Sequence, residues 1–148
     1  MRIHRASLDE VVAVATIVDE YCAEIGVLVR DDRSQLHKYF NEGSGVWLAC
    51  EGTNTVGCLA LRPLATPAEA CEIKRLYVRP SHRGIGIADG LMDALEAYAV
   101  IQNYRLAFLD TKDDLQAAVR FYARRGYTPC ERYNDNPQAT IFMQRRLH

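Results

Sequence analysis

The feature that most constrains this chain is a glycine loop, Arg83-Gly84-Ile85-Gly86-Ile87-Ala88, set between a β-rich run and an amphipathic helix. The run from Glu72 to Val78 is stopped by Pro80, whose ring removes the amide hydrogen a ladder would need. Beyond the loop, Ile87, Leu91, Ala94, Leu95 and Tyr98 recur at helical spacing and mark one buried stripe. Strand, glycine turn and helix therefore follow one another directly. The first amides of such a helix have no intrahelical acceptor, and the helix dipole places partial positive charge beside them. Gly84 and Gly86 let the backbone approach an anion closely and Arg83 adds a formal charge, so phosphate is the natural guest. Spacing removes two common phosphate binders. No Gly-Lys-Ser/Thr tripeptide occurs, and Gly-x-Gly-x-x-Gly would need a third glycine where Asp89 stands.

The rest of the chain orders itself around that unit. Arg2 to Ala6 reads as a strand, and Ser7-Leu8-Asp9-Glu10 matches a capping box ahead of a helix ending at Gly26. A short helix is expected over Ser34 to Phe40. Val46 to Glu51 and Thr55 to Leu61 form a hairpin about Gly52-Thr53-Asn54. Leu106 to Leu109 is an apolar strand ending at Asp110. Asp113 or Asp114 is the expected cap of a helix buried through Leu115, Ala118, Phe121 and Tyr122 and stopped by Gly126. Strands near Thr128 to Arg132 and Thr140 to Leu147 close the chain. The order β-α-α-β-β-β-α-β-α-β-β predicts a single α/β (α+β) domain over residues 1–148.

Composition narrows the chemistry. The 148 residues suffice for one core, with 49% apolar residues, 25% charged and a net charge of −1. Such a balance points away from nucleic acid and from an acidic membrane surface. No apolar run approaches the roughly 20 residues of a membrane span. The N-terminus lacks a signal-peptide h-region. Cysteines 22, 50, 58, 71 and 130 form no Cys-x-x-Cys pair, and the four histidines lie far apart, so no metal is expected and a cytoplasmic location is.

Two stretches carry a family resemblance. Glu72-Ile73-Lys74-Arg75-Leu76-Tyr77-Val78-Arg79-Pro80 running into Arg83 to Ala88 resembles the acetyl-CoA motif of the GNAT N-acetyltransferase superfamily, Gln/Arg-x-x-Gly-x-Gly/Ala, met by Arg83, Gly86 and Ala88. Downstream, Ala118-Val119-Arg120-Phe121-Tyr122-Ala123-Arg124-Arg125-Gly126-Tyr127 resembles that superfamily's helix with a tyrosine and a following Gly-Tyr step. One departure stands out. Many members carry an asparagine seven residues before the tyrosine, and here that position is Leu115.

The resemblance implies a mostly antiparallel twisted sheet of about seven strands flanked by four helices. It implies acetyl transfer from acetyl-CoA to an amine by direct attack, without a metal. Leu76, Tyr77 and Val78 would pair with the pantetheine arm, and Arg83, Gly84, Ile85, Gly86, Ile87 and Ala88 would hold the pyrophosphate. The amide of Leu76 or Val78 would face the thioester oxygen. Tyr122 would be the general acid for the thiolate, and Glu72 the general base, directly or through a water. His82 more simply faces solvent or phosphate. Strict alternation places Ile73 and Leu76 on opposite faces although both look like core, so a bulge near Lys74 or Arg75 is expected.

The acceptor site of that family is framed by the first two helices and the loop before the last strand. Arg30 and Arg33 are then candidates to hold a carboxylate, and Tyr133 and Asn134 to shape the pocket. An amino acid or other small amine is the expected acceptor. A protein N-terminus or lysine, a silent acetyl-CoA sensor, or a surface presenting no cofactor site are the alternatives. Homodimers are common in the family, and the residues leave that open.

Overall fold

The computed structural model describes residues 1–28 and 30–148. Seven strands, β1 (Arg2–Arg5), β2 (Gly45–Glu51), β3 (Asn54–Pro63), β4 (Ala70–Val78), β5 (Leu106–Thr111), β6 (Thr128–Pro129) and β7 (Ile141–Arg146), form one sheet. Its order is β1-β2-β3-β4-β5-β7-β6, antiparallel except for the β4–β5 pair. Four α-helices complete the described chain: α1 (Val11–Ile25), α2 (Arg33–Lys38), α3 (Ile87–Ile101) and α4 (Gln116–Arg124). The expected fold class holds. Among the described residues, no helix is long and apolar enough to cross a membrane.

Strand alternation splits the core into two layers. Val46, Leu48 and Cys50 of β2 pack with Val14, Ile17, Val18 and Cys22 of α1. Trp47 and Ala49 point the other way, to Leu91, Met92 and Leu95 of α3. Fully burying each of these leucines is worth about 1.5–3 kcal/mol, so both helices are fastened by their apolar stripes. Gly26, at φ 80°, ends α1 in the left-handed conformation expected of its glycine.

In β4 the parity changes. Cys71 and Ile73 face the α3 layer, and so do Leu76 and Val78, whereas Tyr77 joins the α1 layer. Cys58 pairs with Tyr77 and Ala60 with Lys74, so β4 carries one more residue than β3 between these points. Arg75 takes up the difference at φ 62°. This is the bulge expected from the apolar pattern.

Local differences from the sequence reading have physical causes. The cap of α2 is Asp32, which accepts from the Gln35 amide at 2.9 Å while Gln35 returns its own oxygen to the Asp32 amide at 2.8 Å. The helix therefore starts at Arg33 rather than Ser34. Neither Asp113 nor Asp114 caps α4: the N-cap is Leu115, and the Asp113 amide is spent on the Thr140 hydroxyl at 2.9 Å. β6 is only two residues long, since Pro129 offers no amide to the ladder.

Candidate active site

β4 and β5 run side by side only from Ala70 to Glu72 against Leu106 to Phe108. Beyond Glu72 the two strands part, and among the described residues the edge of β4 from Ile73 onward has no strand partner on that side. Ligands in sheets of this kind settle at the carboxyl ends of parallel strands. A cavity of about 1110 Å³ opens there, walled by β4, the glycine loop, α4 and the loop before β7.

The glycine loop forms one end. Gly84 and Gly86 sit at φ 80° and 90°, a region costly for residues with a Cβ. A Cβ built on either would meet no heavy atom within 4 Å, so open space rather than crowding surrounds both. Gly86 is the N-cap of α3, and the first amide bonded back along the helix is that of Gly90, to the Gly86 carbonyl. The amides before it stay available to an anion. Arg83 is braced by the Val78 carbonyl at 2.8 Å and Glu24 at 2.6 Å. Leu76, Tyr77, Val78, Arg83, Gly84, Gly86, Ile87 and Ala88 all line the cavity. Ile85 does not, being 67% exposed on the outer side of the turn. His82 hydrogen-bonds to Ser81 at 2.8 Å and approaches Glu51 at 3.4 Å.

Tyr122 lines the cavity from α4, with its ring edge-on to Tyr127 at 6.0 Å. Burial, then the negative charge of neighbours such as Asp110, pushes its phenol well above the ordinary value, so it stays protonated. Leu115 also lines the cavity, with an apolar side chain where many GNAT proteins carry an asparagine.

Glu72 lies elsewhere than the sequence suggests. It is 0% exposed, beneath the wall rather than on it. One oxygen accepts from Arg62 Nε at 2.7 Å and lies 3.9 Å from Lys74 Nζ. The other accepts from the Tyr133 hydroxyl at 2.6 Å and Asn134 Nδ2 at 3.0 Å. Burial alone would raise its pKa, but Lys74, the Tyr133 hydroxyl and Arg62 outweigh it and hold the carboxyl below its usual range. A pinned, weakly basic, inaccessible carboxylate does not suit the role of direct general base.

The residues expected to frame an acceptor are also rearranged. Arg33 is exposed at the start of α2 and does not line the cavity, although Asp31 and Gln35 on either side of it do. Arg30 does line it, loosely paired with Asp19 at 3.7 Å. Asn134 lines it as well. Tyr133 does not, since its ring is packed against Phe108 and Phe142 and its hydroxyl spent on Glu72.

Residues the sequence reading passed over take these places. Asp110, at the parting end of β5, lines the cavity and accepts from Asn134 Nδ2 at 2.7 Å and Asn136 Nδ2 at 3.4 Å, both on one oxygen. Among the described residues no cation pairs with it. Its position closing an apolar strand was the available signal. Gln138 ties the loop before β7 to the segment after α1, accepting from the Leu28 amide at 3.1 Å and donating to the Gly26 carbonyl at 3.0 Å. Lys112 adds a bond to the Ile25 carbonyl at 3.0 Å. Among the described residues, no cluster of three or more His, Cys, Asp or Glu side chains is arranged to hold a metal ion.

Comparison with known proteins agrees with this geometry. The profile of the Acetyltransferase (GNAT) family matches residues 9–127. An uncharacterized N-acetyltransferase of Schizosaccharomyces pombe is 32% identical over 136 residues, covering 87% of this chain and 83% of that protein. The chain spans 48% of a rat relative, N-acetyltransferase 8F1, to which it is 30% identical over 70% of its own length. A GNAT acetyltransferase structure from Staphylococcus aureus superposes with a TM-score of 0.85 at 22% identity, over 99% of both chains. The yncA structure from Salmonella typhimurium, described with its cofactor acetyl-CoA, gives 0.78 at 19% identity over 100% of this chain and 94% of that one. With the match over most of its length and a sheet that parts beside a glycine loop, the chain belongs to the acetyltransferase (GNAT) family.

Proposed function

We propose that the protein transfers acetyl from acetyl-CoA to the primary amine of a small molecule. The observation that carries this is the single cavity uniting the glycine loop, the unpartnered edge of β4 and Tyr122. The residues fit the donor: open amides and Arg83 for its pyrophosphate, and Leu76 to Val78 as a strand edge for its amide-bearing arm. Bound acetyl-CoA supplies an activated acetyl group on a thiolate leaving group.

Three tasks then fall to the chain. The amide of Leu76 or Val78 stabilises charge developing on the thioester oxygen. Asp110, which accepts from neutral donors and pairs with no cation among the described residues, takes the surplus proton from the amine, directly or through a water. Tyr122 gives its proton to the departing thiolate as the C–N bond forms and the C–S bond breaks. Glu72 positions cationic side chains instead of acting as the base. The clasp of Gln138 across the acceptor loops favours a small molecule over a polypeptide. Five free thiols, four of them buried, suit a reducing compartment such as the cytoplasm.

The test is a thermal shift with acetyl-CoA followed by thiol release over a panel of primary amines. Acetyl-CoA should raise Tm, and amine-dependent thiol release should follow. Tyr122→Phe should lower kcat about 100-fold with acetyl-CoA affinity retained. No shift and no thiol release would sink the proposal, and full turnover in Tyr122→Phe would remove the acid.

A further inference from the structure

The buried Glu72 carboxylate holds two cations, not one. Arg62 uses its Nε on Oε1, and among the described residues its two Nη groups meet no acceptor. Lys74 Nζ lies 3.9 Å from the same oxygen, outside hydrogen-bonding distance, and no other side chain carries a bond from it among the described residues. Both side chains line the acceptor half of the cavity, Lys74 with only 17% of its surface exposed. The nearby Arg75 is no rival for Glu72, being paired with Asp31 at 3.1 Å. Glu72 thus hydrogen-bonds to Arg62 but not to Lys74, and its second oxygen is already committed to Tyr133 and Asn134, so the Lys74 ammonium is left without a hydrogen-bond acceptor among the described residues. A lysine so deeply placed needs donors satisfied and charge balanced. Burial lowers the Lys74 pKa and Arg62 and Arg75 lower it further, against Glu72 and Asp110, which oppose the shift. An incoming anion would relieve that strain.

Resting on the acetyl-transfer reading above, we infer that Lys74 and Arg62 form a carboxylate subsite, so that the preferred acceptor is a free amino acid held by its carboxylate while its amine faces Asp110. Asp110, on the neighbouring strand β5, shares the Asn134 Nδ2 donor with Glu72, at 2.7 Å and 3.0 Å. This sets an amine-seeking carboxylate close beside the anion-seeking cations, as the two adjacent charges of an α-amino acid require. The subsite replaces the Arg30–Arg33 pair suggested by sequence: Arg33 is outside the cavity and Arg30 is at its rim.

The experiment measures acetyl-CoA-dependent thiol release with free L-amino acids, each matched to its carboxamide and to its decarboxylated amine. The free acid should exceed both by about ten- to a hundred-fold in kcat/KM, the worth of one or two charge-assisted hydrogen bonds. Lys74→Met should compress that ratio towards one, acting chiefly on KM of the acid, and Lys74→Arg should restore part of it. Equal use of acid, amide and amine by the unmodified protein would overturn the carboxylate subsite while leaving acetyl transfer to amines standing. Absence of thiol release from all three sets would overturn both. The comparison in the unmodified protein does not depend on how well either variant folds.

Discussion

Glu72 shows how far a residue's role depends on what folds around it. A glutamate opening a strand beside an expected thioester site reads as a base. The fold buries it completely and adds Arg62, Tyr133 and Asn134 from distant segments. Because these partners hold its pKa below the usual value, its ionised form stabilises the native state above the unfolded carboxyl pKa of about 4.3. That contribution is lost as pH falls through the lower folded value. Glu72→Gln leaves Arg62 and Lys74 uncompensated and is expected to cost about 3 kcal/mol at pH 7, the low end for breaking a buried pair because Arg62 is half exposed. Urea unfolding from pH 7 to 3 checks this: the gap from the parent should narrow below about pH 4. A constant gap would show that packing, not charge, is what Glu72 supplies. Tyr122, by contrast, does line the cavity, and it was singled out in the sequence because its helix and the Gly126-Tyr127 step are local features.

At the scale of elements, the bulge in β4 was readable because a period of two cannot place Ile73 and Leu76 on one face without an extra residue. The structure adds what holds it. Arg75 is fixed in a left-handed conformation by Asp31 at 3.1 Å and by its position over the Tyr21 ring at 5.7 Å, so the α1–α2 connection grips the bulge. The Cys58 thiol donates to the Arg75 carbonyl at 3.2 Å. Deleting Arg75 would restore plain alternation and turn Leu76 and Val78 out of the α3 layer. The expected cost is about 3–6 kcal/mol, from two large apolar side chains at about 1.5–3 kcal/mol each. Equilibrium urea unfolding measures it, and an unchanged midpoint would mean the strand keeps its faces by another route. Capping was less legible than alternation. Asp113 and Asp114 looked like caps by spacing, but the N-cap is Leu115 and no side chain caps α4, while the Asp113 amide is held by Thr140 far along the chain.

Across the whole molecule, the end of α1 is tied to the loops after β5 and before β7 by contacts over very long sequence separations. Gln138 reaches Gly26 and Leu28, and Lys112 reaches Ile25. Both Gln138 bonds are exposed, so each stabilises weakly. Gln138→Ala is expected to lower global stability by less than about 1 kcal/mol while speeding hydrogen exchange at the Leu28 amide, which loses its acceptor. Exchange mass spectrometry of the 26–28 segment reads this directly, and unchanged protection there would show that the clasp does not hold the loops. The sequence by itself determined the element order, the bulge and the glycine loop ahead of α3, because each depends on residues within a few positions of one another. Only the tertiary structure decided that Glu72 lies under the wall, that Arg33 stays outside, and that Lys74, Arg62 and Asp110 share one cavity. Those facts follow from where β4 and β5 part and from which distant side chains fill the gap, and neither leaves a period or a local motif in the chain.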